Sequence, residues 1–388
     1  MKIVAISTSK VPSNTANSIQ VMKVCQAFAQ LGHEPTLLVP ANSPSAIGHP
    51  PLVVSEVEPS AISHQPLEAH YGLATSFPIE WLPRSRRLFP WIAVRRARAL
   101  GADLLYAWPV QSAVLGLLAR LPVMLEMHDF PAGSFGPLWY RLFLRLPGKK
   151  RLLPITHALR RELDRRYRPA LPDGQVVIAP DGVDLERYEH LPDPEPARRQ
   201  LGLPPGLTVV CTGHLYAGRG ADLFLTLAAK FPKTNFLWVG GRPQDVDNWR
   251  SRAAAARLQN VTYTGFLPNE RIPLYQAAAD ILLMPYERTV STSSGGNTAG
   301  ICSPMKMFEY MAAGRAILTS DLPVLREVLN EDNAVFCAPG DAGAWEKSLS
   351  LLSADSKRRQ ALGQRARADV ERYSWLARAR RSLENFGC

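Results

Sequence analysis

The sequence predicts an α/β protein made of two consecutive, doubly wound domains. Three observations predict this class. The chain has 388 residues, which is too long for one ordinary core and suits two domains of roughly 150 to 200 residues each. Short runs rich in Val, Leu and Ile alternate with helical patterns along most of its length. A Pro-rich segment at residues 191–205 interrupts this alternation, which then starts again.

The first half opens with a strand, a helix and a second strand. Residues 2–7 form a short apolar run, a helical pattern covers 18–31, and the run TLLVP follows. The next strand candidates are ADLLYAW at 102–108, PVMLEMH at 122–128, RLLPIT at 151–156 and VVIAPDGVD at 176–184. Helical stretches separate several of these runs, which is the βαβ pattern of a parallel sheet. We therefore assign residues 1–183 to an amino-terminal Rossmann-like domain.

The second half repeats the same alternation. Its strand candidates are TVVCTGHLYAGRG at 208–220, NFLWVGG at 235–241, NVTYTGFL at 260–267, DILLMPY at 280–286, AILTSD at 316–321 and AVFCAP at 334–339. We assign residues 184–365 to a second Rossmann-like domain, and 366–388 to a carboxy-terminal helix that packs back on the first domain. Ligands of such sheets bind beyond the carboxyl ends of the strands, so we expect a site in these loops, between two facing domains.

The composition is that of a globular protein, with 46% hydrophobic and 20% charged residues. No run approaches the roughly 20 apolar residues that span a bilayer. The amino end, MKIVAISTS, is too short and too strand-like for a signal peptide. The five cysteines are an odd number, lie far apart and form no CxxC pair, which fits a reduced compartment and not a zinc site. We therefore expect a cytoplasmic protein.

The charge of the chain calls for an anionic partner, because the net charge is +11 and the pI is near 9.6. Residues 84–98 hold six arginines and no acid, and residues 141–151 hold five basic residues among Leu and Phe. Basic side chains interleaved with large apolar ones suit the surface of an anionic membrane. The alternative is an Arg-rich composition with solvated helix faces. Nucleic acid is not expected, because no binding motif accompanies the charge.

Two segments of the second domain suit a phosphate group. The loop GHLYAGRG places His214 and Arg219 after a buried strand, and its glycines allow close backbone approach. The segment SPMKMFEYMAAG predicts a helix capped by Ser303, with the proline at its first position, and helix N-termini bind phosphate. A bound phosphate would explain Lys306 near the positive end of that helix, and Glu309 could accept hydrogen bonds from sugar hydroxyls. The alternative is an ordinary i,i+3 ion pair worth about 0.2–0.5 kcal/mol.

These segments, in this order and spacing, resemble those of the family 4 retaining glycosyltransferases of the GT-B fold. The segments that carry the resemblance are LGHEPTLLVP, LEMHDF, ITHALRREL and VVIAPDGVDLERY in the first half, and GHLYAGRGADLFL, VTYTGFLPNERIPLYQAAADILLMPY and SPMKMFEYMAAGRAILTSDLPVLREVL in the second. The resemblance covers nearly the whole chain and includes the SPxKxFEYMAAG pattern of one subgroup. It implies an acceptor-binding first domain and a second domain that binds a nucleotide-sugar donor.

The resemblance also implies roles for particular residues. His128, in EMHD, matches a histidine near the transferred sugar, although a buried structural histidine is the alternative. Arg219 and His214 would contact the donor diphosphate, and Glu309, the second Glu of the EX7E motif, would hold the ribose. We thus expect His128, Arg219 and Glu309 to be catalytic. The expected donor-binding residues are Gly213, His214, Arg219, Phe266, Leu267, Ile301, Cys302, Ser303, Met305, Lys306 and Glu309.

The sequence departs from the family pattern in three places. Ile301 occupies the first Glu position of EX7E, so the usual carboxylate contact to the donor sugar is missing or supplied elsewhere. His214 stands where the family usually has an arginine. The segment SNTANS at 13–18 replaces the usual pair of glycines in the first loop. We expect Asn17 and Ser18 to contact the acceptor or a phosphate there.

The activity implied by the resemblance is a retaining hexosyl transfer that needs no metal and no cofactor, with a nucleotide sugar as the donor substrate. No DxD-like carboxylate pair stands beside the expected site residues, which fits catalysis without a metal. The acceptor would be a glycan or a lipid-linked sugar of cell-surface polysaccharide or glycolipid synthesis, reached on the inner face of the cell membrane. Two alternatives remain open: a nucleotide-sugar epimerase of the same shape, and a catalytically silent subunit that binds a partner.

Overall fold

The computed structural model describes residues 1–41, 52–53, 67–83, 85, 88–289 and 298–387. The chain divides into two compact units. Unit 1 comprises Met1–Asp181 and Trp375–Cys388, and unit 2 comprises Gly182–Ser374. The chain therefore passes between the units after residues 181 and 374, where the sequence predicts boundaries after 183 and 365.

Unit 1 contains, among its described residues, a seven-stranded sheet. Its strands are β1 (Lys2–Ile6), β2 (Glu34–Pro40), β3 (Leu52–Val53), β4 (Pro78–Leu82), β5 (Leu104–Ala107), β6 (Val123–Met127) and β7 (Lys150–Pro154). The strand order is β3-β4-β2-β1-β5-β6-β7, and every pair is parallel except β3 with β4. The helices are α1 (Ala16–Gln30), α2 (Leu67–Tyr71), α3 (Phe89–Ala99), α4 (Val110–Leu118), α5 (Gly136–Arg145), α6 (His157–Arg166) and, from the end of the chain, α14 (Trp375–Leu383).

The central strands of unit 1 are buried almost throughout. Every residue of β5, β6 and β7 is buried, and in β1 the exposed residue is Lys2. Parallel strands covered on both faces have this property, which is why their sequences are continuous apolar runs and not alternating patterns. The strand predicted at 176–184 is wrong: the segment forms two isolated bridges and no strand, with Val176 opposite Leu152 and Val183 opposite Ser374. Pro180 interrupts that segment, and a proline has no N–H to donate to a strand.

Unit 2 contains, in its described part, a six-stranded parallel sheet. Its strands are β8 (Thr208–Thr212), β9 (Asn235–Val239), β10 (Val261–Tyr263), β11 (Ile281–Met284), β12 (Ala316–Ser320) and β13 (Val335–Cys337). The strand order is β10-β9-β8-β11-β12-β13. The helices are α7 (Pro194–Leu201), α8 (Ala221–Lys230), α9 (Pro243–Ala255), α10 (Ile272–Ala277), α11 (Met305–Ala313), α12 (Ala342–Ala354) and α13 (Ser356–Asp369).

The core of unit 2 lies between its sheet and the helices that cover it. Phe224, Trp238 and Trp345 are each 0% exposed. The Phe224 ring lies edge-on to Phe236 at 5.4 Å and to Trp238 at 5.2 Å between ring centres, a preferred aromatic geometry. This packing fixes β8 and β9 beneath α8. The strand order reverses between β8 and β11, which is the position where such sheets place a ligand.

The carboxy-terminal segment returns to unit 1. Helix α13 ends at Asp369, so the boundary predicted after residue 365 falls inside a helix. Helix α14 then packs against α1 in unit 1. The Arg151 guanidinium of β7 donates to the backbone oxygens of Ser382 and Glu384, both at 2.7 Å. Among the described residues, no helix has the length and apolar character needed to cross a membrane.

Candidate functional site

The loop between β8 and α8 is packed tightly against two neighbouring loops. Gly213 has a φ of +118° and Gly220 a φ of +79°, in the left-handed region that favours glycine. A Cβ on Gly220 would lie 2.1 Å from the backbone oxygen of Pro285, and a Cβ on Gly240 would lie 2.7 Å from that of Gly213. These glycines let the loops after β8, β9 and β11 approach one another where the strand order reverses.

Replacing Gly220 by alanine is expected to destabilise unit 2 by roughly 2–4 kcal/mol, because the new methyl group meets a backbone oxygen at a strained φ. Thermal unfolding of the purified variant measures the effect. Gly343→Ala is the matched control, since its Cβ would meet Asp341 at an ordinary 3.5 Å in the first turn of α12. An unfolding temperature of Gly220→Ala equal to that of the control would show that the loops are not in close contact.

Two cations meet at these loops and share one aromatic ring. The guanidinium carbon of Arg219 lies 4.7 Å and the Lys306 ammonium 4.9 Å from the centre of the Tyr286 ring. Arg219 donates to the Tyr286 hydroxyl, and Lys306 donates to the Thr212 backbone oxygen at 2.9 Å. Within the described part of the chain, the hydrogen-bond partners of both half-buried cations are neutral groups. Two positive charges that have no carboxylate partner among the described residues form a site suited to an anion.

Helix α11 begins one residue later than the sequence predicts. Pro304 is the N-cap and Met305 the first helical residue, so Ser303 lies one residue before the N-cap position that the sequence predicts for it. A proline fixes φ but leaves ψ free, and here ψ is 121°, an extended value. Lys306 is thus the second residue of the helix. It still lies in the first turn, where the Met307 N–H donates to the Pro304 oxygen while, among the described residues, the N–H groups of Met305 and Lys306 have no partner within the helix and suit a phosphate.

Glu309 lies one turn after Lys306 and is connected to the interior of unit 2. Gln276 of α10 donates to Glu309 Oε2 at 3.1 Å, and the Tyr188 hydroxyl donates to Gln276 Oε1 at 2.9 Å. Burial, aided by the Glu309 charge, raises the pKa of Tyr188 well above its usual value, so the hydroxyl keeps its proton. Gln276 is 0% exposed while Glu309 is half-buried. This chain of hydrogen bonds fixes the carboxylate at the edge of the unit.

The other expected donor contacts lie on loops at the same edge of the sheet. The His214 ring stacks on Tyr216, with 4.9 Å between ring centres and 16° between planes. Phe266 and Leu267 follow β10, and the Phe266 side chain is 41% exposed. The backbone oxygen of Gly265, just before Phe266, accepts a hydrogen bond at 3.0 Å from the backbone N–H of Gly240 in the loop after β9. The structure therefore brings these positions together in one unit, and their roles stay predictions.

The turn before α11 explains the isoleucine at the first EX7E position. Ile301 is 6% exposed, and a carboxylate buried there would lose its hydration. The backbone N–H groups of Ile301 and Cys302 donate to the Thr298 oxygen at 3.0 and 2.9 Å. Those two groups are engaged within the turn. The N–H groups of Met305 and Lys306 are therefore better placed for a phosphate than those of Ile301 and Cys302.

In unit 1, His128 follows β6 and lies in a cluster around the buried carboxylate of Glu126. His128 Nε2 is 2.6 Å and the Arg378 guanidinium of α14 is 2.7 Å from Glu126 Oε1. The Tyr106 hydroxyl and the Gln20 amide also donate to this carboxylate. Burial raises the pKa of Glu126, but the Arg378 charge and the hydrogen bonds outweigh it and lower the pKa to about 2. The carboxylate is therefore ionised at neutral pH.

The same cluster sets the charge of His128. Burial lowers the pKa of His128, but the hydrogen bond and charge of Glu126 outweigh it, so the pKa is raised above its usual value. Nearby Asp181 is 8% exposed, and burial raises its pKa to about 6. His128 itself keeps 26% of its side chain exposed. One side of the His128 ring therefore contacts Glu126, and another part of the side chain is exposed to solvent.

The two residues expected to contact an acceptor differ in exposure. Asn17 is exposed in the first turn of α1, as a contact residue requires. Ser18 is 0% exposed, and its hydroxyl lies 2.5 Å from the hydroxyl of Tyr71. The Ser18 side chain is therefore buried in the contact between α1 and α2, and the contact of Ser18 with an acceptor or phosphate stays a prediction. The Tyr71 hydroxyl also accepts the Ser13 N–H at 2.8 Å, which holds the loop.

Sequence reasoning missed several residues that shape the site. Tyr286 ends the run DILLMPY, so its place after a buried strand was a signal for it. Gln276 is a polar residue within an apolar helix, which is a weaker signal. Arg378 gave no signal, because it is one of several arginines in the carboxy-terminal tail. Its partner Glu126 belongs to EMHD but was not singled out.

Comparisons with known proteins agree with the fold and with the family that the sequence resembles. The family described as "Glycosyl transferases group 1" matches residues 206–355, and "Glycosyltransferase Family 4" matches residues 18–187. The GDP-mannose-dependent alpha-(1-6)-phosphatidylinositol monomannoside mannosyltransferase of Mycolicibacterium smegmatis is 24% identical over 311 residues, 76% of this chain and 80% of that protein. The 2-deoxystreptamine glucosyltransferase of Streptomyces kanamyceticus is 34% identical over 188 residues, 46% of each chain.

Solved structures of glycosyltransferases share the fold. HepE of Anabaena in complex with UDP has a TM-score of 0.73 at 16% identity, over 99% of both chains. A glycosyltransferase of Rickettsia africae has a TM-score of 0.74 at 13% identity, over 99% of this chain and 97% of that one. The chain therefore has the GT-B fold of these structures. The chain belongs to the group 1 glycosyltransferases of family 4.

Proposed function

We propose that this protein is a retaining hexosyltransferase that uses a nucleotide sugar and needs no metal. It transfers the sugar to a glycan or lipid-linked acceptor of cell-surface polysaccharide or glycolipid synthesis. The observation that carries the proposal is the pair of cations, Arg219 and Lys306, whose partners within the described residues are neutral. The name of one relative specifies GDP-mannose, and one structural neighbour was solved with UDP-glucose, so both donors are candidates.

The chemistry follows from where charge develops. The bond between the sugar C1 and the diphosphate oxygen breaks, so negative charge grows on the diphosphate and positive charge on the sugar ring. Fixed positive groups beside the diphosphate lower this barrier, and Arg219, Lys306 and the start of α11 supply them. The acceptor hydroxyl bonds to C1 on the side that the diphosphate leaves, and its proton passes to a diphosphate oxygen. The configuration at C1 is thereby retained.

A thermal-shift panel of UDP, GDP, ADP and TDP tests the donor site. A nucleotide at about 100 times its dissociation constant should stabilise the protein by roughly 2.7 kcal/mol. We expect one nucleotide to give a shift of this size and the others much less. No shift with any of them would favour the catalytically silent subunit. Conversion of a nucleotide sugar to its epimer without an acceptor would favour the epimerase.

Replacing Glu309 by alanine is expected to weaken binding of that nucleotide by about 10- to 100-fold, because a hydrogen bond to a charged group contributes about 1.5–3 kcal/mol. The carboxylate is held by Gln276, so it is oriented before the ribose arrives. Isothermal titration calorimetry measures the dissociation constant. Glu346→Ala, on α12, removes a carboxylate elsewhere in unit 2 and should leave it unchanged. If Glu309→Ala binds the nucleotide as tightly as Glu346→Ala does, Glu309 does not contact the ribose.

Helices α3, α4 and α5 of unit 1 and the residues beside them carry exposed apolar and basic side chains, and we call this set the α3–α5 face. Helix α4 packs against both α3 and α5. Its exposed apolar side chains are Leu88, Trp91, Leu118, Phe135, Leu138 and Leu142. Its exposed basic side chains are Arg95, Arg98, Arg141, Arg145 and Lys149, while Arg84, Arg86 and Arg87 of the predicted cluster lie outside the described residues. Helices α3 and α5 contain no acidic residue.

The α3–α5 face suits an anionic membrane, because apolar side chains enter the lipid boundary while basic ones meet its head groups. Each cation contributes about 1 kcal/mol near such a surface, so Arg95→Gln/Arg145→Gln should bind about 30-fold more weakly to phosphatidylglycerol vesicles. Vesicle sedimentation measures the affinity of each protein for the vesicles. Lys347→Gln/Arg358→Gln removes two exposed charges from unit 2 and should bind like the wild type. Wild-type binding that does not prefer anionic over neutral vesicles would contradict the membrane proposal.

A further inference from the structure

The carboxy-terminal helix delivers an arginine to the carboxylate that holds His128. Arg378 is 2% exposed and lies 2.7 Å from Glu126 Oε1, and the same oxygen lies 2.6 Å from His128 Nε2. Arg378 also donates to the backbone oxygens of Pro180 at 2.8 Å and Ala179 at 3.2 Å. The guanidinium is thus held on several sides. It links α14 to His128 through a single carboxylate.

The groups that interact with Glu126 come from several parts of unit 1. They are Gln20 and Cys25 from α1, Tyr106 from β5, His128 after β6, Asp181 from the segment after α6 and Arg378 from α14. Arg378 and His128 are the positive groups among them. Removing one partner of a buried ion pair leaves an uncompensated charge, which is strongly unfavourable. Since the Glu126 side chain is 0% exposed, its carboxylate depends on these partners to stay ionised, and the Arg378 charge makes the largest contribution.

A fixed carboxylate determines how His128 can act. An ionised Glu126 accepts only a proton-bearing nitrogen, so the Nε2 of His128 carries a hydrogen toward it. The ring is then held at Nε2, and Nδ1 is the nitrogen left for other contacts. Carboxylates that hold one ring nitrogen of a histidine set its tautomer and orientation in this way.

We propose that Glu126 and Arg378 are positioning residues for His128 in the transfer reaction, which makes α14 a working part of the sugar site. This inference rests on the proposed function, because the family resemblance places His128 near the sugar that this reaction transfers. Glu126 orients the imidazole, and Arg378 orients Glu126. The last helix of the chain therefore affects turnover without touching the substrate.

Steady-state kinetics with the preferred nucleotide sugar tests this role. Glu126→Gln and Arg378→Met should each lower kcat at least tenfold, while KM for the donor changes less than twofold. The double variant Glu126→Gln/Arg378→Met removes both buried charges, so its unfolding temperature should recover while its kcat stays low. A double variant whose kcat returns to within twofold of the wild type would show that the pair only stabilises the fold, and would overturn the inference.

Arg198→Met is the matched control, because Arg198 is also a buried arginine in an ion pair. Its guanidinium is 8% exposed and lies 2.9 Å from Asp280 in unit 2. We expect this variant to lose unfolding temperature comparably to Arg378→Met and to keep its kcat. A parallel fall of kcat in Arg198→Met would mean that lost stability alone explains the kinetics, which would overturn the inference.

A titration that needs no activity separates this inference from the proposed function. The nitrogen shifts of His128, assigned by the signal absent from His128→Gln, report its tautomer and its titration midpoint. In Glu126→Gln the midpoint should fall, because the neighbouring negative charge is gone. An unchanged midpoint and tautomer would overturn the inference. Wild-type protein that transfers no sugar from any nucleotide sugar would overturn the proposed function instead, while this titration still decides the coupling.

Discussion

The double variant Arg219→Met/Lys306→Met is expected to bind its preferred nucleoside diphosphate at least 100-fold more weakly than the wild type. Each cation contributes about 1.5–3 kcal/mol through hydrogen bonds to a charged group. The two contributions are not independent, because both side chains lie against the ring of Tyr286. A loss of 100-fold corresponds to about 2.7 kcal/mol, which is a lower bound for two such contacts. Isothermal titration calorimetry measures the dissociation constants.

Lys347→Met is the control for this variant. Lys347 is exposed on α12 in unit 2, so its substitution removes a charge without touching the loops after β8 and β11. The dissociation constant of Lys347→Met for the nucleoside diphosphate should stay within twofold of the wild-type value. The binding should also weaken with salt in the wild type and much less in the double variant, since salt screens exposed charges. Double-variant binding within threefold of the wild type would place the nucleotide elsewhere.

Replacing Arg378 by methionine is expected to destabilise unit 1 by about 3–5 kcal/mol at pH 7, the usual cost of breaking a buried ion pair. The loss in free energy of unfolding depends on pH in a defined direction. In the wild type the pKa of Glu126 is lowered to about 2, so its stabilisation is present above the unfolded-state pKa and is lost as the pH falls toward 2. Without Arg378, Glu126 loses the largest of the contributions that favour its ionised form, so its pKa rises. The difference between the proteins should therefore shrink as the pH falls below about 4.5.

Hydrogen exchange is the suitable measurement, because two units need not unfold together and a single unfolding curve would mix them. The protection of backbone amides against exchange should fall in β6 and α14 of Arg378→Met and stay unchanged in β8 and β11. The unit 2 strands thus serve as an internal control within the same sample. Equal protection of β6 in both proteins at pH 7 would contradict the importance of the buried pair.

The sequence predicts the central strands of both sheets because parallel strands buried on both faces are continuous apolar runs. The edge of the first sheet was missed, since β4 (PIEWL) begins with a proline and carries Glu80 in its middle. That glutamate is held by a bidentate contact from Arg96 of α3, at 2.7 and 2.8 Å. A partly polar edge strand of this kind depends on tertiary contacts that apolar periodicity does not report.

The candidate site was predictable where it depends on local sequence. Glycines with positive φ, Arg219 and the start of α11 are all readable from short segments with a known geometry. The partners of these residues could not be predicted from short segments, because Tyr286, Gln276 and Tyr188 reach the site from other elements. The contact between Arg378 and Glu126 joins the end of the chain to its first third. Such pairs are fixed by the packing of α14 on unit 1 and leave no pattern in the sequence.

Proton NMR of a transfer reaction containing EDTA tests the central claim most directly. The protein is mixed with UDP-glucose or GDP-mannose and with an acceptor, and the anomeric signals of donor and product are followed together. We predict that a nucleoside diphosphate is released and that the new glycosidic bond has the same anomeric configuration as the donor. An inverted product, a requirement for added metal, or loss of donor only through epimerisation would contradict the account.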